Sequence, residues 1–415
     1  MNILYINHYA GSIYHGMEYR PYYLAREWVR AGHKVTIVAS NLSHIRNKNI
    51  TIKENEDFLR ENIDGIEYIW CKTTPYGENG LKRVVNIFSF LKKVRQLKPA
   101  FVNKFKPDLV IASSTYPFDT LIANSIAKAA KAKFVYEVHD LWPLTPIEVG
   151  GMSKWHPFIM AMQWAENFGY KHANKVVSLL PKAQDYMQLH GMSVDKFVYI
   201  SNGVAVDDWL NSQHELPSEH QKLFTQLRQE NKFILAYAGG MGEANALDYL
   251  LDACQKIDKQ VALLLVGDGP NKPRLIERVA QEKLSNVYFM PAIGKMQIPA
   301  FLSACDALYI GWNNLPIYRF GICPNKLFDY MLSAKPIIHS VTAGNDLVAE
   351  ANCGFSIAAE DVDAIAKSIN AVSLLSDTVR AELGTNGKKY VIREHDYTVL
   401  AQRFLDQVFL DKDIV

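Results

Sequence analysis

The sequence is poor in cysteine. Its 415 residues hold five, Cys71, Cys254, Cys305, Cys323 and Cys353. They are odd in number, scattered, and form no CxxC pair. That excludes a disulfide scaffold or zinc ribbon and fits a reducing cytoplasm. No apolar run approaches the ~18 residues of a spanning helix. No basic segment followed by a long apolar stretch opens the chain, so neither a membrane span nor a signal peptide is expected. Excess charge of one sign is also lacking. The 45 Lys and Arg against 43 Asp and Glu leave +2, so nothing points to nucleic acid as a partner. There is no HExxH, no GxSxG and no GKS/T of a P-loop. Two carboxylate pairs have DxD spacing, Asp361/Asp363 and Asp411/Asp413. One opens a helix and the other lies in the tail, so no metal site is expected.

What is present is an ordinary globular composition, 49% hydrophobic and 21% charged. At ~150 residues per domain the length implies two to three domains. Near-continuous apolar runs recur at Ile3–Ile6, Val35–Val38, Ile66–Trp70, Leu109–Ala112, Phe134–Val138, Val176–Leu179 and Val198–Ile200. Helix-length segments separate most of them, at about 17–31, 81–98, 118–131, 155–173 and 182–190. Parallel strands buried on both faces read this way. A polar stretch, Asp207–Glu230, is assigned as the inter-domain connection. A second series follows, with strands at Phe233–Ala238, Leu263–Val266, Val287–Met290, Ala307–Ile310, Pro336–His339 and Phe355–Ile357. The expected architecture is two tandem α/β domains with doubly wound sheets. Their ligands would sit beyond the carboxyl ends of the strands, in a cleft where the domains face.

Candidate chemistry falls at strand ends. Pro324-Asn325-Lys326 starts a helix with Asp329 one turn on. A helix N-terminus with a lysine suits a phosphate, and the carboxylate suits a ribose; a solvated i,i+3 ion pair is the plainer alternative. His139 and Asp140 end a predicted strand. Either Asp140 orients His139 toward a ligand, or the histidine caps a turn. Gly11 and Gly16 link the first strand to the first helix, where Arg20 offers a fork for phosphate or carboxylate. Gly240 and Gly242 follow the first strand of the second domain, where a glycine loop cradles a diphosphate or packs a turn. Gly267-Asp268-Gly269 is an isolated GxG, read as a tight turn. Residues 81–106 hold eight basic residues and no acid, among them Lys82, Arg83, Lys92, Lys93 and Arg95. Val84, Ile87, Phe88, Leu91 and Val94 share one face of that helix. It is either a membrane-surface element or an ordinary helix packed on its sheet.

Taken in order, Asn7-His8-Tyr9-Ala10-Gly11, Gly16-Met17-Glu18-Tyr19-Arg20-Pro21, Glu137-Val138-His139-Asp140-Leu141-Trp142-Pro143, Ser201-Asn202-Gly203-Val204, Gly267-Asp268-Gly269-Pro270 and Pro324-Asn325-Lys326-Leu327-Phe328-Asp329-Tyr330-Met331 resemble the family-4 retaining glycosyltransferases of the GT-B fold. The resemblance covers nearly the whole chain. It is nearest the O-antigen and capsule branch with the N-acetyl-L-fucosamine transferases. It implies an acceptor-binding domain over 1–205, a nucleotide-sugar domain over 206–394, and a last helix from about 395 to 415 packed back on the first. It implies a UDP-sugar donor, with Asp329 on the ribose, Lys326, Asn325, Gly240 and Gly242 at the diphosphate, and backbone at Ile293 and Gly294 facing the base. His139 would lie near the donor sugar; Gly11, Gly16 and Arg20 would lie across the cleft. Neither a metal nor another cofactor is implied. The implied partner is a lipid-diphosphate-linked glycan at the anionic inner face of the cytoplasmic membrane.

Two departures stand out. The loop after the first strand of the second domain reads Gly-Gly-Met-Gly-Glu-Ala, without the family's usual Arg and Lys. That shifts the phosphate onto Lys326, with Arg319 or Arg20 as helpers. Gly321 stands eight residues before Asp329, so the first Glu of the family's EX7E pair is missing. A nucleotide-sugar 2-epimerase and a non-catalytic sugar-nucleotide-binding protein are the alternatives on the same fold.

Overall fold

The structure, a computed structural model, describes residues 1–46, 48–77, 80–212 and 214–410. The chain forms two compact units. One is Met1–Asn202 together with the helix that starts at Tyr397; the other is Gly203–Asp396.

The first unit holds β1 (Asn2–Ile6), β2 (Lys34–Ser40), β3 (Phe58–Ile63), β4 (Ile66–Cys71), β5 (Leu109–Ala112), β6 (Lys133–Val138), β7 (Lys175–Ser178) and β8 (Phe197–Tyr199). Their order is β3-β4-β2-β1-β5-β6-β7-β8. Every pairing is parallel except β3 with β4. Ile3, Leu4, Tyr5 and Ile6 are fully buried, as a strand covered by helices on both faces requires. Strand order reverses at β1, with β2 on one side and β5 on the other. Open α/β sheets take their ligands beyond such a reversal, and here Asn7 and His8 after β1 bond across it to Ser113 and Ser114 after β5.

The second unit holds β9 (Phe233–Ala238), β10 (Val261–Val266), β11 (Val287–Met290), β12 (Ala307–Gly311), β13 (Ile337–Ser340) and β14 (Gly354–Ile357). The order is β11-β10-β9-β12-β13-β14, all parallel. Residues of β9 and β10 alternate between two apolar cores, one on each face. The reversal falls between β9 and β12.

Three sequence expectations change. The edge strand β3 was not anticipated. It hairpins onto β4 through Asp64-Gly65, both at positive φ (51° and 84°), the backbone a two-residue turn needs. The stretch from 207 to 230 is not a connector. It contains the helices Val206–Leu210 and Ser218–Gln229, and Phe224 and Leu227 of the second join the core of the second unit. The chain instead passes between units at 202/203 and 396/397, where Val204 N–H donates to the His395 carbonyl at 2.9 Å. The last described helix is Tyr397–Phe409; Asp411 and Asp413 lie outside the described residues. It packs on the helix Arg20–Arg30. Tyr397 stacks on Tyr23 at 4.9 Å between centroids, and the buried Trp28 donates from Nε1 to the Ala401 carbonyl at 2.9 Å.

Candidate functional site

In the second unit the site grows from the end of β9. Gly239-Gly240-Met241 leaves the strand and packs on the Gly267–Gly269 turn that follows β10. A Cβ on Gly267 would lie 1.9 Å from the Gly239 carbonyl oxygen, and one on Gly269 2.7 Å from the Met241 backbone. The GxG is therefore a loop-packing device, as its turn reading anticipated. Met241 N–H is already spent on the Asp268 carbonyl at 2.8 Å. The open side of this loop is at Gly240, where a Cβ would meet nothing within 4 Å, and at Gly242, whose nearest neighbour is Asn245 Nδ2 at 3.9 Å.

The helix Asn325–Leu332 starts beside that loop. Leu327 N–H of its first turn donates to the Pro324 carbonyl at 3.1 Å, the amides of Asn325 and Lys326 precede the first full helical bond, and no acid sits in its first turn. Leu327, Phe328, Tyr330 and Met331 bury its inner face, and Tyr330 Oη accepts from the Ala238 amide at 2.7 Å. That anchor fixes Lys326 against the glycine loop. Its Nζ donates to Tyr237 Oη at 2.7 Å and to Asn245 Oδ1 at 2.5 Å. It also lies 4.6 Å from the Tyr237 ring centroid and 5.6 Å from that of Trp312. No carboxylate among the described residues forms an ion pair with it. Burial pushes its pKa down to about 7. A cation held by neutral partners, with a third N–H to spare, is arranged for an anion that is not part of the protein.

Asp329 lies one turn along the same helix, partly buried. Burial raises its carboxyl above the ordinary range, and Lys295 pulls the other way. The i,i+3 ion pair between Lys326 and Asp329, the plainer alternative, is not formed. Ile293 packs on the core at the end of β11, but both backbone groups of Gly294 engage Gln297, at 3.1 and 2.9 Å. A base would thus meet backbone at Ile293 more readily than at Gly294. Arg319 is exposed, with its guanidinium on the Pro316 carbonyl and over the Phe320 ring. Tyr237, Asn245 and Trp312 escaped the sequence reading. Trp312 directly follows β12 and Tyr237 is the penultimate residue of β9, strand-end positions at the switch point that could have flagged them, whereas Asn245 closes a short turn farther along.

In the first unit β6 brings Glu137 inward and His139 to its mouth. Glu137 is fully buried. It accepts from Arg20 Nε and Nη2 at 3.0 and 2.9 Å, from Ser113 Oγ at 2.6 Å and from Tyr5 Oη. Burial alone would raise its pKa, but the Arg20 charge holds it far below the carboxylate range. His139 Nε2 lies 2.8 Å from Ser113 Oγ and 3.2 Å from Glu137 Oε2. Burial lowers the histidine's pKa, yet the Glu137 hydrogen bond and charge win and raise it.

These contacts correct four expectations. Arg20 is no ligand fork: its side chain is fully buried, paired with Glu137 and bonded to the carbonyls of Ile200 and Ser201. Asp140 does not orient His139; it is exposed, and Glu137 with Ser113 does that work. Gly11 and Gly16 do not open the backbone to a ligand. A Cβ on Gly11 would lie 1.9 Å from the Gly16 carbonyl oxygen, so the two glycines close a small loop on itself.

The basic helix Leu81–Ala100 buries Ile87, Leu91 and Val94 of its expected apolar face, together with Phe90 and Leu97. Phe88 belongs instead to a second, outward stripe: Leu81, Val85 and Phe88 are 84%, 55% and 51% exposed. Lys82, Lys92 and Arg95 are exposed, whereas Lys93 is paired with Asp57 at 2.6 Å. No described helix is long and apolar enough to cross a membrane. Asp361 and Asp363 are both engaged, as a helix cap to Ala364 N–H and as a partner of Lys256.

Two parallel-sheet α/β units, with these orders, make the GT-B fold. Residues 15–203 match the glycosyl transferase 4-like domain, and residues 232–377 match the glycosyl transferases group 1 domain. The putative colanic acid biosynthesis glycosyl transferase WcaI of Escherichia coli (strain K12) is 22% identical over 399 residues, covering 92% of this chain and 93% of that protein. The alpha-maltose-1-phosphate synthase of Mycolicibacterium smegmatis is 22% identical over 330 residues, 74% and 80% of the two chains. Anabaena Alr3699/HepE, solved in complex with UDP and glucose, has a TM-score of 0.66 at 18% identity, covering 99% of this chain and 100% of that one. Sucrose-phosphate synthase from Thermosynechococcus elongatus has a TM-score of 0.71 at 16% identity, with 98% of each chain covered. With glycosyltransferase domains in both halves, the chain is a glycosyltransferase of the GT-B fold.

Proposed function

We propose that this glycosyltransferase moves a sugar, with retention, from a UDP-sugar to a lipid-diphosphate-linked glycan at the inner face of the cytoplasmic membrane, in O-antigen or capsule synthesis. The observation that carries the donor half is Lys326: a cation among neutral groups, at a helix start, against an open glycine loop. Its ammonium and the helix amides meet the diphosphate and stabilise the charge that grows on the β-phosphate as the glycosidic bond breaks. Asp329 takes the ribose hydroxyls, and the backbone at Ile293 faces the base. UDP in the Anabaena structure of the same fold supports the choice of nucleotide. The acceptor hydroxyl attacks from the face the phosphate leaves, and that phosphate takes its proton. His139, held by Glu137 and Ser113, donates to the donor sugar. The sugar is an N-acetylated hexosamine, the 6-deoxy N-acetyl-L-fucosamine being one such sugar, a reading that rests on the branch resemblance alone. The colanic acid relative supports a role in polysaccharide synthesis.

The test is incubation with a panel of nucleotide sugars, with and without a lipid-diphosphate sugar acceptor, in EDTA, followed by mass spectrometry. A sugar added to the acceptor is the expected result. Donor conversion without acceptor would replace the reading with an epimerase. Binding without turnover would leave a sugar-nucleotide-binding protein.

A further inference from the structure

The first unit contains a cavity of about 580 Å³ that the donor chemistry does not use. Its walls come from the loops that follow β1, β5 and β6, at Tyr9, Tyr116 and Trp142, and from the start of the basic helix. It therefore opens at the same carboxyl end of the sheet that carries His139. Leu81, Ile87, Met152, Phe158 and Met162 complete an almost wholly apolar lining. A sugar needs a wall of hydrogen-bonding groups, and this cavity has few.

Among the described residues its one lining cation is Arg83, whose Nε lies 3.4 Å from Tyr9 Oη, and His156 is its other basic group. No carboxylate among the described residues lines it. The outward stripe of Leu81, Val85 and Phe88 runs from its rim, and Phe88, Phe118 and Phe158 continue it as a row of ring contacts at 5.4 and 6.0 Å. Trp155 and Trp164 are exposed nearby in sequence, flanking and within the helix Pro157–His172. Lys82 stands beside Arg83 on the exposed side of the helix.

An apolar cavity with a cationic mouth and an apolar rim matches an anionic lipid: a hydrocarbon chain inside and a charged head at the entrance. The geometry points to this cavity as the seat for the first isoprene units of the acceptor's lipid carrier, with Arg83 on its diphosphate. The inference rests on the proposed acceptor for the head group and on the cavity itself for the chain. Seating the chain here fixes how far the glycan reaches toward His139. Chain recognition then selects lipid-linked over free glycans.

Binding of farnesyl diphosphate, inorganic diphosphate and dihexanoyl phosphatidylglycerol, each below its micelle concentration, tests this by calorimetry on the full chain. Farnesyl diphosphate should bind at least tenfold more tightly than either of the others. Val84→Trp, at a partly exposed lining position, fills the cavity without touching the core. It should cost farnesyl diphosphate at least tenfold and leave UDP affinity unchanged. Leu81→Glu, at an exposed rim position, should act in the same direction. Equal affinity for farnesyl and inorganic diphosphate would overturn the proposal, as would Val84→Trp without effect. Equal binding of the phospholipid would make the cavity a general membrane notch and overturn the carrier assignment. The transferase reading is scored separately on the wild type. Transfer to a short soluble acceptor as fast as to a farnesyl-linked one refutes the cavity alone. Chain-dependent binding with no transfer to any acceptor refutes the function alone.

Discussion

On the proposed function, Lys326 makes UDP binding a proton-coupled event. Without ligand, burial holds its pKa at about 7, and its partners, Tyr237 and Asn245, are neutral. A diphosphate at Nζ favours the ammonium and returns its pKa toward the ordinary ~10.4. The bound state then carries more protons than the free state, so affinity is highest below pH 7 and falls as pH rises through the free-state value. At pH 8 a lysine of pKa about 7 is only about one-tenth protonated, so binding takes up about 0.9 proton. Between pH 7.5 and 9 the association constant should fall by nearly tenfold per unit. Lys326→Met removes a charge-assisted hydrogen bond worth about 1.5–3 kcal/mol, roughly 10- to 150-fold in affinity at pH 6.5. It also flattens the pH profile. Calorimetry in buffers of different ionisation enthalpy counts the protons directly. UDP binding with no proton uptake at pH 8, or a Lys326→Met variant with the wild-type slope, would refute the reasoning.

Other perturbations separate the remaining roles. Asp329→Ala should weaken UDP by about tenfold while leaving dTDP, which lacks the ribose 2′-hydroxyl, much less affected; equal losses would deny it a ribose contact. His139 should titrate above the ordinary ~6.5 of a free imidazole, read from its ring C–H resonances, because Glu137 favours its charged form. His139→Ala should lower kcat with UDP affinity unchanged; wild-type turnover would leave it a structural residue. Glu137→Gln strands Arg20 as a buried, uncompensated cation and should cost about 3–5 kcal/mol in urea unfolding. Replacing Lys82, Lys92 and Arg95 with Glu should reduce co-sedimentation with anionic vesicles by roughly 100-fold at low salt, at about 1 kcal/mol per cation. No change would end the membrane-surface reading of that helix.

Both sheets were readable because parallel strands buried on two faces leave unbroken apolar runs, and all but one strand was recovered from them. The exception, β3 (Phe-Leu-Arg-Glu-Asn-Ile), is a half-exposed edge with a polar face. Its one clear mark was Asp64-Gly65 between two isoleucines. The polar stretch from 207 to 230 misled because a surface helix such as Ser218–Gln229 buries only three residues, His220, Phe224 and Leu227. At the site, the helix start that carries Lys326 and Asp329 was legible because it is a local event, whereas the ligand roles given to the two residues rested on the resemblance. Arg20 was misassigned because its partner is set by tertiary packing: Glu137 is 117 residues away. Asn245 and Trp312 carry no motif, and only the folding of separate loops brings them to one ammonium.

The two crossings between the units lie side by side, joined by Val204 N–H and the His395 carbonyl. The second unit is thus one continuous segment with adjacent ends, spliced into a first unit that resumes at Tyr397. In topological terms the first unit is a host and the second a guest. A host truncated at 202 would lose the helix that covers Trp28 and Tyr23, whereas a guest cut at 203 and 396 keeps every strand it needs. The second unit can accordingly be exchanged as a cassette, and the first can be isolated only by bridging the two cut ends.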